Sequence, residues 1–86
     1  MEINKLIEII KKKIIKEIVL QEINVEDKSF LHKKHKNNSP NKFHIKIIIK
    51  SDELKTKKKI YSTKKIYRIL ENELENYIHS IQLSIN

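Results

Sequence analysis

Ile3, Leu6, Ile7, Ile10 and Ile14 recur at three- and four-residue spacing, with Lys and Glu filling most positions between them. Such a stripe predicts an amphipathic, core-facing helix over residues 2–17, widened by Ile9 and Ile15. The period then falls to two. Ile23 and Val25 alternate with Glu22, Asn24 and Glu26, which predicts a strand over residues 19–26, with Val19 and Leu20 ambiguous at its start. The clearest strand covers residues 43–50. There Ile45, Ile47 and Ile49 share one face while His44, Lys46 and Lys50 share the other, and Ile48 is the one apolar residue on the polar side. On this pattern His44 is an exposed strand residue with no metal role.

Residues 27–42 read as a long loop, with Pro40 and the turn formers Asn37, Asn38, Ser39 and Asn41. It carries five lysines together with His32 and His35. A polar connection at 51–59 has room for a short helical turn. Ile66, Leu70 and Leu74 then continue at helical spacing to about Tyr77, and Ser62 or Thr63 is the expected cap. A last strand at 79–85 points Ile81, Leu83 and Ile85 inward and Ser80, Gln82 and Ser84 outward. The expected architecture is α+β: a two-layer αββαβ arrangement in one domain spanning residues 1–86, with helices on one face of a small three-stranded mixed sheet.

Composition narrows the chemistry. The chain has no glycine, which removes phosphate-cradling Gly loops and GXXG clamps. It has no cysteine, which removes disulfides, thiol catalysis and any metal site built from its own thiolates. No apolar run is long enough to span a membrane. Met1-Glu2-Ile3 lacks the basic leader and apolar stretch of a secretory signal, so the cytoplasm is the expected compartment. The amphipathic start and Lys11–Lys13 leave organelle targeting open. The net charge of +8 favours acidic partners: nucleic acid, an anionic membrane surface or an acidic protein face.

The last predicted helix orders its charges against its dipole. Lys64, Lys65 and Arg68 precede Glu71, Glu73 and Glu75, and a helix dipole favours the reverse by roughly 0.3–1 kcal/mol per charge. This order sets a basic patch near residues 55–68 and an acidic patch beside His79. Pairs such as Arg68 with Glu71 offset the dipole effect on one reading; on the other, each patch faces a partner.

The ordered set of residues resembles the BolA family. Asp27-Lys28-Ser29-Phe30-Leu31-His32 is similar to the family's acidic-x-Ser-aromatic-x-His lead into a variable loop. His44 to Asp52 is similar to its strand of the form His-Phe-Lys-Val-Val-Leu-Val-Ser-Asp, with Leu54 where the family places an aromatic. From Lys55 to His79 the likeness runs without a gap: Ile60, Ile66-Tyr67, Leu70, Glu73-Leu74 and Ile78-His79-Ser80-Ile81 each fall on a family position. It covers roughly residues 20–85. Where the family has Arg-His-Arg at the helix start, this chain has Ser62-Thr63-Lys64, and the loop glycines and a C-terminal extension with Glu-Trp are missing.

The resemblance implies a fold similar to class II KH domains. It also implies a non-enzymatic adaptor that binds a monothiol glutaredoxin and shares a bridging [2Fe-2S] cluster in iron–sulfur and iron homeostasis. On that reading His79 is the first cluster and metal ligand and His32, from the loop, the second, with His35 replacing it if the loop register slips. Neutral imidazole ligates iron well, and the absent thiolates come from the partner. Read without the family, His79 is either a core filler, since it shares parity with Ile81, or a ligand whose ring is held by Glu75, if the helix continues to residue 79. The alternative function is a nucleic-acid-binding transcription regulator in which Lys55, Lys57, Lys58, Lys59, Lys64, Lys65 and Arg68 track the phosphates of DNA or RNA. Homodimer formation is left open. No triad spacing supports catalysis.

Overall fold

The computed structural model describes residues 1–29 and 42–86. Its elements run α1 (Ile3–Glu17), β1 (Glu22–Asp27), β2 (Phe43–Lys50), α2 (Asp52–Lys55), α3 (Lys59–Ile69), α4 (Glu71–Asn76) and β3 (Ile78–Ile85). The sheet order is β1-β2-β3, with β1 antiparallel and β3 parallel to β2. A parallel β2–β3 pair needs a crossover, and α2, α3 and α4 supply it. The expected α+β, three-stranded mixed sheet with a helical layer is the architecture observed.

One apolar cluster joins the layers. Leu6, Ile10 and Ile14 of α1 are fully buried, as are Ile45, Ile47 and Ile49 of β2, Leu54 of α2 and Ile66 of α3. The α1 stripe is narrower than its isoleucine content suggests, because Ile15 is 55% exposed. Glu2 starts α1 by accepting the Asn4 N–H at 2.9 Å.

The single long helix expected up to Tyr77 is two helices. The first starts at Lys59 rather than after Ser62 or Thr63, with Lys58 as an N-cap that makes no side-chain hydrogen bond. Ser62 cannot cap because it is buried inside α3, where its hydroxyl donates to the Leu54 carbonyl at 3.5 Å. The break falls at Leu70, whose φ of −101° and ψ of 19° lie outside helical values. Its fully buried side chain holds it in the core at that turn. The split also changes the charge order. Arg68 now lies in the last turn of α3 and Glu71 and Glu73 in the first turn of α4, both favourable to a dipole. Only the lysine-rich start of α3 remains adverse.

Glu73 leaves the expected acidic patch altogether. It is buried, and Lys13 Nζ donates to its two oxygens at 2.8 and 2.7 Å, tying α4 to α1. Burial raises its pKa, but hydrogen bonds from Lys13, Asn72 and its own backbone N–H, with the Lys13 charge, outweigh that and hold the carboxyl below its ordinary value.

Candidate functional site

The β2–β3 register positions the site. Phe43 pairs with Ile78, but His44 pairs with Ser80 and Ile45 with Ile81, so His79 is the extra residue of a bulge at the start of β3. The expectation that His79 shares the inward parity of Ile81 therefore fails. Ile78 takes the buried position before the bulge, and His79 is exposed. Its proposed second partner fails as well. Helix α4 ends at Asn76, so Glu75 and His79 do not share a helical face, and no Glu75–His79 hydrogen bond forms.

The ring beside His79 belongs to His44. The two centroids lie 4.9 Å apart with planes at 60°, an edge-to-face contact. His44 is buried, at 7% exposure, which corrects its reading as an exposed strand residue. Its Nδ1 shares a 2.7 Å hydrogen bond with Ser80 Oγ. Alternation along β2 correctly assigns His44 to the face away from the isoleucines. It does not reveal that Ser80 Oγ and the His79 ring meet the His44 side chain there.

The entry to the long loop is tied to the same place. Asp27 Oδ1 accepts the Ser29 N–H at 2.9 Å, forming a local turn. Ser29 Oγ then accepts the His44 N–H at 3.1 Å, and the Lys28 N–H donates to the His44 carbonyl at 2.7 Å. The chain thus leaves the described part at Ser29, beside His44. His32 and His35, the expected loop ligands, lie outside the described residues, as does most of the expected loop. Among the described residues no three His, Cys, Asp or Glu side chains gather in a metal-binding group.

The expected basic patch divides in two. Lys55, Lys57 and Lys59 line a groove of about 300 Å³ beside β3. Lys58 and Lys64 are exposed, and Lys65 reaches the Tyr61 ring at 6.0 Å. Arg68 lines a second cavity with Lys13 and Lys16 of α1. Nine residues at about 100° each put Arg68 on the opposite side of α3 from Lys59. The seven cations therefore do not form one continuous track.

A two-layer α+β domain with this strand order and a histidine set on the β3 bulge defines a recognisable class. The model of the BolA-like protein family matches residues 14–86, and the chain belongs to that family. Among solved structures, it is similar to the BolA domain of SufE1 from Arabidopsis thaliana, with a TM-score of 0.79 and 27% identity over 94% of this chain and 90% of that one. It is also similar to BolA1 from Arabidopsis thaliana, at 0.77 and 22% over 93% and 88%. A bol-like protein from Babesia bovis shares the fold at 0.69 and 14% over 92% and 80%. No curated protein matches significantly. Among the described residues no helix is long and apolar enough to cross a membrane.

Proposed function

We propose that this chain is a non-enzymatic adaptor that binds a monothiol glutaredoxin and co-ligates a bridging [2Fe-2S] cluster in iron–sulfur handling. The observation that carries the reading is the placement of His79. A bulge turns its imidazole out of the core at the rim of the sheet, where a second protein can reach it. His79 is the first ligand and His32 the second, with His35 as the alternative loop donor. His44 orients rather than ligates: its Ser80 bond fixes one ring, and that ring's contact limits the rotamers of His79. Ser29 supports the same assembly, because it anchors the loop three residues before His32. The cluster supplies redox-active iron with open demand for nitrogen or sulfur ligands. This chain supplies imidazoles only, so cysteine thiolates come from the partner.

The test mixes the protein with cluster-loaded monothiol glutaredoxin and records visible absorption and circular dichroism for wild type, His79→Ala and His32→Ala. The expected result is a new spectrum with wild type that is lost with His79→Ala and changed with His32→Ala. Spectra unchanged by wild-type protein would sink the adaptor reading. A change that survives both substitutions would overturn the ligand assignment.

A further inference from the structure

The groove at the other end of β3 has no part in that site. His79 and Ile85 are six residues apart on one strand, about 20 Å. The groove's floor is Leu54, Leu83 and Ile85, and its rim is Lys55, Lys57 and Lys59. We propose that this groove docks an extended acidic segment of a partner protein, added alongside β3 with apolar side chains on the floor and carboxylates against the lysines.

Three observations converge on that occupant. The first is charge. The rim lysines are exposed and form no salt bridge among the described residues, and no Asp or Glu lines the groove. Four lysines within the five residues 55–59, three of them on the rim, repel one another, and an anionic partner relieves this. The second is the strand itself. In the order β1-β2-β3 both outer strands are edges, yet they differ in protection. Edge β1 carries Glu22, Glu26 and Asp27, whereas Ile78–Ile85 contains no Lys, Arg, Asp, Glu or Pro. An edge strand without charge or proline is a template for another strand. The third is the floor. Leu83 and Ile85 point toward the helical layer but stay half-buried, because the groove separates them from α3. About 300 Å³ is at the small end of ligand pockets and holds side chains rather than a large cofactor.

The same features favour a peptide over a nucleic acid. Single strands bind by stacking bases on exposed aromatic faces. The nearest aromatic, Tyr61, has Lys57 Nζ 5.7 Å and Lys65 Nζ 6.0 Å from its ring centroid, so cations already take its faces. The chain's one arginine, Arg68, is on the far side of α3. An apolar floor under a charged rim matches alternating Glu and Leu side chains better than a uniform phosphate backbone.

The experiment measures fluorescence anisotropy with a labelled, end-blocked eight-residue peptide alternating Glu and Leu. Controls are the Lys/Leu and Glu/Ser counterparts and a single-stranded oligonucleotide of equal length. Binding of the Glu/Leu peptide alone is expected, weakened about tenfold or more by Lys57→Glu with Lys59→Glu. Amide NMR shifts are expected along residues 81–85, with His79→Ala binding like wild type. Because Lys57 and Lys59 are exposed, their substitution leaves the fold intact, and circular dichroism checks this. No saturable peptide binding overturns the proposal. So does binding indifferent to the lysine substitutions, or tighter oligonucleotide binding through the same lysines. Self-association in sedimentation that the same substitutions abolish assigns the groove to a second copy instead.

Discussion

His44, His79 and Ser80 behave as a unit because each lacks something the others provide. Buried imidazole nitrogens need partners, and Ser80 Oγ satisfies one of them at 2.7 Å. Ser80→Ala removes that partner and should lower stability by about 1–3 kcal/mol, measured as a shift of the urea midpoint at constant slope. His79→Ala should cost at most about 0.5–1.5 kcal/mol, the worth of its edge contact with His44, because the side chain is otherwise exposed. Loss of cluster signal in that variant then reports ligation rather than unfolding. Part of this site is legible in the sequence. The likeness of Ile78-His79-Ser80-Ile81 to the BolA family singles out His79, but strict alternation points it inward, and nothing local in Ile78-His79-Ser80 marks a bulge. Alternation misplaces His44 for a related reason. Alternation reports which face a residue occupies, not whether another segment covers that face.

At the scale of elements, three polar side chains hold the helices in place. Ser51 is fully buried; its Oγ accepts the Leu54 N–H at 3.2 Å to cap α2 and donates to the Val19 carbonyl at 2.8 Å. One hydroxyl thus joins α2 to the segment between α1 and β1. Ser51→Ala loses both bonds and should cost about 2 kcal/mol, readable by thermal or urea unfolding. Glu73 and Lys13 join α4 to α1 in the same manner. Because the Glu73 carboxyl is held below its ordinary value, the unfolded chain takes up its proton first as pH falls. The stability it contributes is complete above the ordinary carboxylate range and is lost as pH drops through the lowered value. Lys13→Met should destabilise the protein by about 1–3 kcal/mol at neutral pH, since a buried carboxylate loses its counter-charge. It should also flatten the acid limb of stability against pH, and urea titrations at several pH values check both effects. The break between α3 and α4 had no sequence signal, because the chain has no glycine and no proline near Leu70. Ser62 was misleading as a cap because its residue type suits a helix start while its position faces the core.

For the whole molecule, isoleucine carries both the readable part of the fold and most of its cohesion. The runs in α1 and β2 have unmistakable periods of 3.6 and two, so element order and the two-layer arrangement were accessible from pattern alone. Ile47 is fully buried at the centre of β2, between β1 and β3. Ile47→Ala should cost about 2–5 kcal/mol, a large part of the stability of a domain this size, and should show as partial unfolding under native conditions. The distribution of charge was less accessible. Lysines adjacent in sequence separate once α3 turns them to different sides, and one acidic residue is withdrawn into the interior. Charge counts constrain the sign of a partner; only the packed helices decide where that partner can sit.

The inserted residue in β3 makes this part of the chain sensitive to length more than to composition. In a ladder of period two, adding or removing one residue shifts everything beyond it by half a period. Removing one position between Tyr77 and Ser80 would close the bulge, and the strand would have to choose between burying Ile78 and keeping its outward histidine. Many single substitutions there leave that phase untouched. In a mutational library the exposed position 79 should therefore accept varied side chains without loss of folding, whereas single-residue insertions and deletions across the junction between α4 and β3 should be rejected.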